Sequence, residues 1–282
     1  TQEWVLARDI YKIFKRQKEE FAQMLEERDR SKWFVDDFFD SIREEVPNYL
    51  FIALPKIIKR GAAGPIKKFS KFLPDGYAIR FDIDSDPAVQ YLERMRELHL
   101  SQRQGSISKT ALAELKDIIA KGVEMGYSYT QVAKQIREKD PFVFSKSRAK
   151  LIAVNEIGRA YGFGSFEPSR VLAEEEGYIM EKLWQTSHDD KVRKRHTMNE
   201  SAGWIPLKNQ FPGTWDQYAP STIDIRCRCT STTRIVGVKW CVLESVAHKY
   251  PWIPTIKALS PVWNSKPFWM VNGNWITRIR EK

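Results

Sequence analysis

Two cysteines, Cys227 and Cys229, lie two residues apart in the segment IDIRCRCTST. If this segment is a β-strand, both thiols point to the same face, because side chains alternate along a strand. The polar segment HDDKVRKRH upstream adds two histidines and two aspartates. Thiolates combined with an imidazole favour zinc over magnesium or calcium. The pattern predicts a zinc site with the ligands Cys227, Cys229, His196 and Asp190.

The same residues allow two other interpretations. Cys-x-Cys is a weaker zinc signal than paired Cys-x-x-Cys motifs, and both thiols can instead be small buried residues of a core strand. On a helix, Asp189, Val192, Arg193 and His196 would share one face, which offers a carboxylate or an imidazole as a base for hydrolysis. The third cysteine, Cys241, is expected to be a packing residue. Three cysteines in 282 residues favour a reducing compartment over a disulfide scaffold.

The chain is basic, with 46 lysines and arginines against 36 acidic residues, a net charge of +10 and a pI near 9.4. Such a surface suits nucleic acid or another polyanion without sequence specificity. The apolar fraction of 42% is typical of a globular protein. No apolar run approaches the roughly 20 residues of a membrane span, so none is predicted.

A lysine-rich segment, LPKIIKRGAAGPIKKFSKF (54–72), begins in an apolar piece, YLFIALPKIIKR. The piece leads into GAAGPIKKFSKFLPDG (61–76), which is rich in glycine, proline and lysine and is predicted to be a loop or linker. Basic residues interleaved with phenylalanines suit non-specific contacts to the phosphates of double-stranded DNA. A solvated linker without DNA contacts is the alternative. The candidate DNA-binding residues are Lys56, Lys59, Arg60, Lys67, Lys68 and Lys71.

The elements that must position these residues follow from hydrophobic periodicity. Helices are expected over 2–30 and over 32–46, ending before Pro47, and a strand over 77–84. Four more helices follow between Asp86 and Ser165, and then a strand at YIMEKLWQTS, a short polar helix and the cysteine strand. This order predicts an α+β protein, mostly helical in its first two-thirds, followed by a small α+β unit and an irregular tail. We expect an N-terminal helical region with a basic linker (1–105), a central domain (106–238) and a Trp/Pro-rich tail (239–282).

The tail contains five tryptophans after Val238 and four prolines that prevent a long helix. An irregular segment with so much aromatic surface needs something to cover it. It can pack on the helical body of its own chain or dock on a partner, where tryptophan is enriched at hot spots. Both alternatives remain open from the sequence.

Several of these segments together resemble the phage head morphogenesis proteins, which are the Mu F-like minor capsid proteins of tailed bacteriophages. The resemblance covers about 106–235. It rests on the segments SRAKLIAVNEIGRAYGFGS, EKLWQTSHDDKVRKRH and IDIRCRCTST, in this order and at this spacing. The chain departs from the family at Asn155, where threonine is usual.

The resemblance implies which residues mark the domain and what the protein does. It implies a structural virion protein rather than an enzyme, in contact with the portal protein, the major capsid protein or scaffold, and packaged DNA at the portal vertex or capsid interior. The alternative is a metal-dependent hydrolase or toxin-like effector that carries a Mu F-type domain. Besides the four candidate zinc ligands, the marked residues are Arg148, Ala149, Ile152, Ala153, Glu156, Trp184, Asp189, Arg193, Gly203 and Arg228.

Overall fold

The computed structural model describes residues 2–27, 34–73, 77–79, 81–100, 107–139, 141–222, 224–238, 269–271 and 274–276. Within these residues the protein is α+β, as predicted. The helices are α1 (Gln2–Glu27), α2 (Phe34–Ile42), α3 (Glu45–Phe69), α4 (Asp86–Leu100), α5 (Ile107–Glu124), α6 (Tyr129–Glu138), α7 (Lys146–Glu174) and α8 (Lys194–Ser201). The strands are β1 (Tyr178–Gln185), β2 (Ile205–Pro206), β3 (Thr230–Val238), β4 (Trp269–Val271) and β5 (Asn274–Ile276).

The chain divides into two compact units, each assembled from segments that are distant in sequence. Unit 1 comprises Thr1–Ile57, Asp82–Ala160 and Ile225–Cys227. Unit 2 comprises Ile58–Phe81, Tyr161–Asp224 and Arg228–Lys282. Helices α3 and α7 each contribute residues to both units, because each helix continues across a unit boundary.

Unit 1 is a helical assembly whose core is rich in phenylalanine. The buried face of α1 includes Phe14 and Phe21, and the Phe21 ring lies 4.8 Å from that of Phe38. At the surface, Arg137 of α6 forms an ion pair with Glu26 of α1. Helix α6 begins with a capping box, in which the Ser128 hydroxyl accepts a hydrogen bond from the Gln131 amide.

Unit 2 contains a three-stranded antiparallel sheet with the order β2-β1-β3. The C-terminal half of α7 and the end of α3 supply the helical side of its core, which contains Phe69, Phe166, Leu172, Met180 and Leu207. The burial of these side chains is the main term that stabilises the unit.

The two long helices approach each other closely where glycines replace side chains. A Cβ atom added at Gly164 of α7 would lie 2.1 Å from the carbonyl oxygen of Ile58 in α3. A Cβ atom added at Gly61 of α3 would lie 2.5 Å from the carbonyl oxygen of Tyr161. The backbones therefore touch directly, and a larger residue at either position would force them apart.

The loop or linker predicted from Gly61 onwards is wrong, because residues up to Phe69 belong to α3 and 70–72 form a 3-10 turn. Leu54, Ile58, Ala62 and Phe69 recur at helical spacing and are buried. Their packing outweighs the hydrogen bonds lost at the internal prolines. The helix predicted to end before Pro47 does end before it, but earlier than expected, at Ile42. Pro47 then lies in the first turn of α3, where a proline lacks only an amide that needs no intrahelical partner.

Two predicted strands also need correction. The described residues of 77–84 form coil and a turn rather than a strand. The cysteine strand begins only at Thr230, so Cys227 and Cys229 lie immediately before β3 and not on it. Arg226 adopts a left-handed backbone conformation with φ of 59°, which explains why regular strand geometry starts later.

Most of the C-terminal tail, including Cys241, lies outside the described residues. The exception is a short antiparallel pair, in which Trp269 lies opposite Ile276. The prediction that the tail covers the chain's own body or docks on a partner stays a prediction.

Candidate functional site

Helix α8 carries the histidine at the centre of the site. His196 is almost completely buried, and its ring packs 5.5 Å from the indole of Trp184 in β1. Trp184 is fully buried and also contacts the ring of Phe211 at 5.1 Å. Strand β1 therefore holds the imidazole in place through a large aromatic contact.

The predicted helical face from Asp189 to His196 is wrong, because α8 begins only at Lys194 and Arg193 is its N-cap residue. Asp189 lies in the preceding turn, where its carboxylate accepts a hydrogen bond from the amide of Lys191. The same carboxylate pairs with Arg228 at 2.6 Å. This ion pair connects the turn to the arginine between the two cysteines.

Asp224 connects the basic residues of α8, and the sequence analysis did not identify it. Its carboxylate lies 2.7 Å from His196 Nε2 and 3.3 Å from Arg193, and it also pairs with Arg195. Burial alone would raise the pKa of Asp224, but these cations and hydrogen bonds outweigh it and hold the pKa below its usual range. Arg193 thus pairs with a carboxylate that lies outside its own polar segment. The only sequence signal was its position three residues before Cys227.

The thiols meet the other side of the imidazole. Cys229 is buried, and its Sγ lies 3.4 Å from His196 Nδ1. Cys227 is half-buried and stays beside Cys229 because only Arg228 separates them in the chain. One ligand atom each from His196, Cys227 and Cys229 lies within 4.8 Å of the others. Asp190, the fourth predicted ligand, is exposed and does not belong to this group of described residues.

Two glycines shape the backbone around α8. Gly203 follows the end of the helix with φ of 66°, a conformation that favours glycine. A Cβ atom at Gly213 would lie 2.1 Å from the carbonyl oxygen of Arg195, so the 211–216 loop can rest directly on the helix. Asn199 secures this contact, because its side chain accepts from the Gly213 amide at 2.7 Å and donates to Thr214 Oγ1 at 2.8 Å.

A buried lysine near the sheet also escaped the sequence analysis. Lys182 of β1 is fully buried, and its ammonium donates to the backbone and side-chain oxygens of Gln217 at 2.8 and 3.0 Å. The ammonium also faces the rings of Phe166 and Phe211. Burial lowers the pKa of Lys182 to about 8. The sequence did not indicate that Lys182 is buried, since a lysine on a strand is usually solvated.

The marked residues of α7 lie in unit 1 and hold that helix in place. The Ser145 hydroxyl accepts from the Arg148 amide at 3.1 Å and thereby caps the helix. The buried Arg148 guanidinium donates to the carbonyl of Val143 and lies 5.1 Å from the ring of Phe14. Burial lowers its pKa to about 10.

Further along α7, Glu156 and Asn155 have different roles. Glu156 is buried and pairs with His99 of α4 at 3.1 Å and with Arg159 at 2.9 Å. The Asn155 side chain accepts a hydrogen bond from the Arg226 amide at 2.7 Å. Asn155, which stands where threonine is usual in the family, therefore contacts the segment that leads to the cysteines.

Five of the six candidate DNA-binding residues lie on α3, and Lys71 lies in the 3-10 turn that follows it. All six of the side chains Lys56, Lys59, Arg60, Lys67, Lys68 and Lys71 are exposed. Arg60 and Lys67 are seven residues apart and therefore lie on the same side of α3. Lys68 differs from the others, because its ammonium donates to the carbonyl of Thr233 in β3 at 2.6 Å.

Residues 113–232 match the family described as phage Mu protein F like protein. This segment contains α7, β1, α8 and the two cysteines, and every residue that the sequence resemblance marked lies in it. Comparison of the chain with curated proteins found no significant match, and comparison with solved structures found none either.

Residues 113–232 therefore form a region similar to the phage Mu protein F like family, which is the head morphogenesis family that the sequence resembles. This is a family of structural phage head proteins. None of the helices in the described ranges is both long enough and apolar enough to cross a bilayer.

Proposed function

We propose that this protein is a minor component of a tailed-phage head that binds at the portal vertex during head assembly. The match of residues 113–232 to the Mu F-like family is the observation that carries this proposal. The portal protein is the expected first partner, and the major capsid protein or scaffold is the second. The protein is then located in the capsid interior or at the portal vertex.

The positions of the marked residues favour a structural role over catalysis. Arg148, Glu156, Trp184 and His196 are all buried, and each contacts other elements of its own unit. A catalytic acid, base or nucleophile must reach the substrate, which buried packing residues cannot do. These residues instead stabilise the domain that presents its surface to the head.

Head incorporation tests the proposal directly. Heads assembled with the full chain in the presence and in the absence of the portal protein are purified and analysed by quantitative mass spectrometry. We expect the protein in the portal-containing heads, in far fewer copies than the major capsid protein, and its loss from the portal-free heads. Equal amounts in both preparations would contradict binding at the portal vertex.

We propose further that exposed basic residues in the second half of α3 and in the 3-10 turn after it contact packaged DNA. This basic stripe comprises Lys59, Arg60, Lys67 and Lys71. The described residues show no ion pair for these side chains, whereas Lys12, Lys116, Lys121 and Lys134 each pair with a carboxylate. Lysines and arginines that lack a carboxylate partner can neutralise phosphates and release counterions.

The DNA contact predicts a change in salt dependence. Substituting all four residues of the basic stripe with glutamine is expected to weaken binding to non-specific double-stranded DNA. It should also reduce the slope of log K against log salt by roughly 3 if most of them contact phosphates. Fluorescence anisotropy at several salt concentrations measures both quantities.

The matched control changes the same number of charges elsewhere. Glutamine at Lys12, Lys116, Lys121 and Lys134 removes four ion-paired lysines. We expect this variant to keep nearly the full slope. If both variants lose the same slope, net charge alone attracts the DNA and the basic stripe is not its contact.

A further inference from the structure

We propose that His196, Cys227 and Cys229 bind one zinc ion and that Asp224 positions the histidine for it. The ion would connect α8 to the segment that enters β3, and it would do so independently of the function proposed above. His196, Cys229 and Asp224 belong to unit 2, and Cys227 is held next to them by the peptide chain.

The distances suit zinc with little rearrangement. In a tetrahedral site with Zn–S of about 2.3 Å and Zn–N of about 2.0 Å, the sulfur and nitrogen ligands lie about 3.5 Å apart. Cys229 Sγ and His196 Nδ1 are 3.4 Å apart. Two thiolate ligands of the same ion lie about 3.8 Å apart, and the three candidate atoms lie within 4.8 Å of one another.

Asp224 determines which nitrogen of His196 faces the thiols. Its carboxylate lies 2.7 Å from Nε2 and can only accept a hydrogen bond, so Nε2 carries the hydrogen and donates to the aspartate. In the neutral ring, Nδ1 then carries the lone pair and faces Cys229. Zinc-binding histidines usually donate their second N–H to a carboxylate in this way, which fixes the tautomer and orients the ring.

The donor set and its burial favour zinc over harder cations. Each thiol releases its proton to solvent and binds as a thiolate, and the imidazole binds as the neutral ring. Two thiolates and an imidazole select zinc over magnesium or calcium. His196 and Cys229 are both at least 95% buried, with exposed fractions of 2% and 5%. With three protein ligands, the fourth position of the tetrahedron would be open to water.

Metal content and cobalt spectroscopy test the site. The full chain is purified under reducing conditions from zinc-supplemented cells, and its zinc is measured by elemental analysis. We expect close to one zinc per chain. After chelation, titration with Co²⁺ should produce a thiolate charge-transfer band and the intense visible bands of a tetrahedral complex. A chain with no zinc and no cobalt–thiolate band, but with an intact fold, would overturn the proposal in favour of a thiol–imidazole hydrogen bond.

Variants separate ligands from neighbours. Cys227→Ser and Cys229→Ser should each abolish the cobalt–thiolate complex with two sulfurs, while Asp224→Asn should weaken Co²⁺ binding by about 10- to 100-fold. His188→Asn and Asp190→Asn are matched controls, because both side chains are exposed and neither belongs to the group. Loss of metal in a control with retention in both serine variants would assign the ion elsewhere.

Thermal unfolding of the wild type tests the site even if a variant folds poorly. Chelation should lower the melting temperature of the wild type, and re-addition of zinc should restore it. Chelation should have no further effect on Cys229→Ser. An unchanged wild-type melting temperature after complete removal of zinc would show that the ion does not connect α8 to β3.

Discussion

Replacing Gly164 with alanine is expected to lower the free energy of unfolding by about 3 kcal/mol, at the upper end of the cost of overpacking a core. The added Cβ atom would lie 2.1 Å from the carbonyl oxygen of Ile58 and 2.8 Å from its carbonyl carbon. Both are backbone atoms of α3, so no side chain can rotate away to make room. The helices must separate instead, and the core around Phe69 and Phe166 loses contacts.

Gly64→Ala is the matched control for this prediction. Gly64 also lies in α3, but no atom lies within 4 Å of its added Cβ. Because alanine favours a helix over glycine by up to about 1 kcal/mol, this variant should be neutral or slightly more stable. Thermal unfolding followed by circular dichroism compares the two, and a loss of 3 kcal/mol corresponds to a decrease of roughly 6–12 °C. Equal melting temperatures for both variants would mean that the two helices can separate without cost.

Replacing Glu156 with glutamine is expected to cost about 3 kcal/mol, the typical penalty for removing one partner of a buried ion pair. The carboxylate is 2% exposed and lies within 3.1 Å of His99 and 2.9 Å of Arg159. Glutamine keeps the size of the side chain but removes the charge that stabilises both neighbours. The control is Glu138→Gln, which removes an exposed ion pair with Lys134 and should change stability by less than about 0.5 kcal/mol.

The stabilisation by the Glu156 carboxylate is expected to decrease in acid. Burial alone would raise the pKa of Glu156, but the attraction of His99 and Arg159 outweighs it and holds the pKa below the ordinary value of 4.5. The stabilisation by this carboxylate is therefore complete above pH 4.5 and decreases as the pH falls through the lower pKa of the folded state. Urea unfolding at several pH values should show that wild type and Glu156→Gln differ most near neutral pH and converge in acid. A constant difference down to the acid limit would contradict this account.

Much of the Mu F-like domain could be predicted from the sequence, since its signals are local. Helix α6 begins at its capping box, and β1 occupies the predicted strand. Helix α5 ends at Glu124, two residues before Gly126, which has φ of 71°. Periodicity and caps depend on neighbours in the chain, so one sequence is enough to detect them. The segments that carry the family resemblance are those that the family match also covers.

The bounds of helices that contain prolines and glycines could not be predicted from local signals. Two prolines and two glycines in 54–72 favour a loop by local rules. The tertiary structure keeps this segment helical, because Gly61 allows α3 to approach α7 and the apolar side chains between the breakers become buried. A glycine that weakens an isolated helix can therefore strengthen a packed pair of helices.

The sequence alone identifies two neighbouring cysteines, a histidine in a polar segment and a basic stretch, and it predicts most of the helices. The fold places Asp224, rather than Asp190, against His196, and it pairs Arg193 with the same carboxylate. Local sequence patterns do not predict these contacts, because Asp224 lies 28 residues from His196 and 31 residues from Arg193 in the chain. Burial in the fold sets the distances on which hydrogen bonds, ion pairs and metal ligation depend.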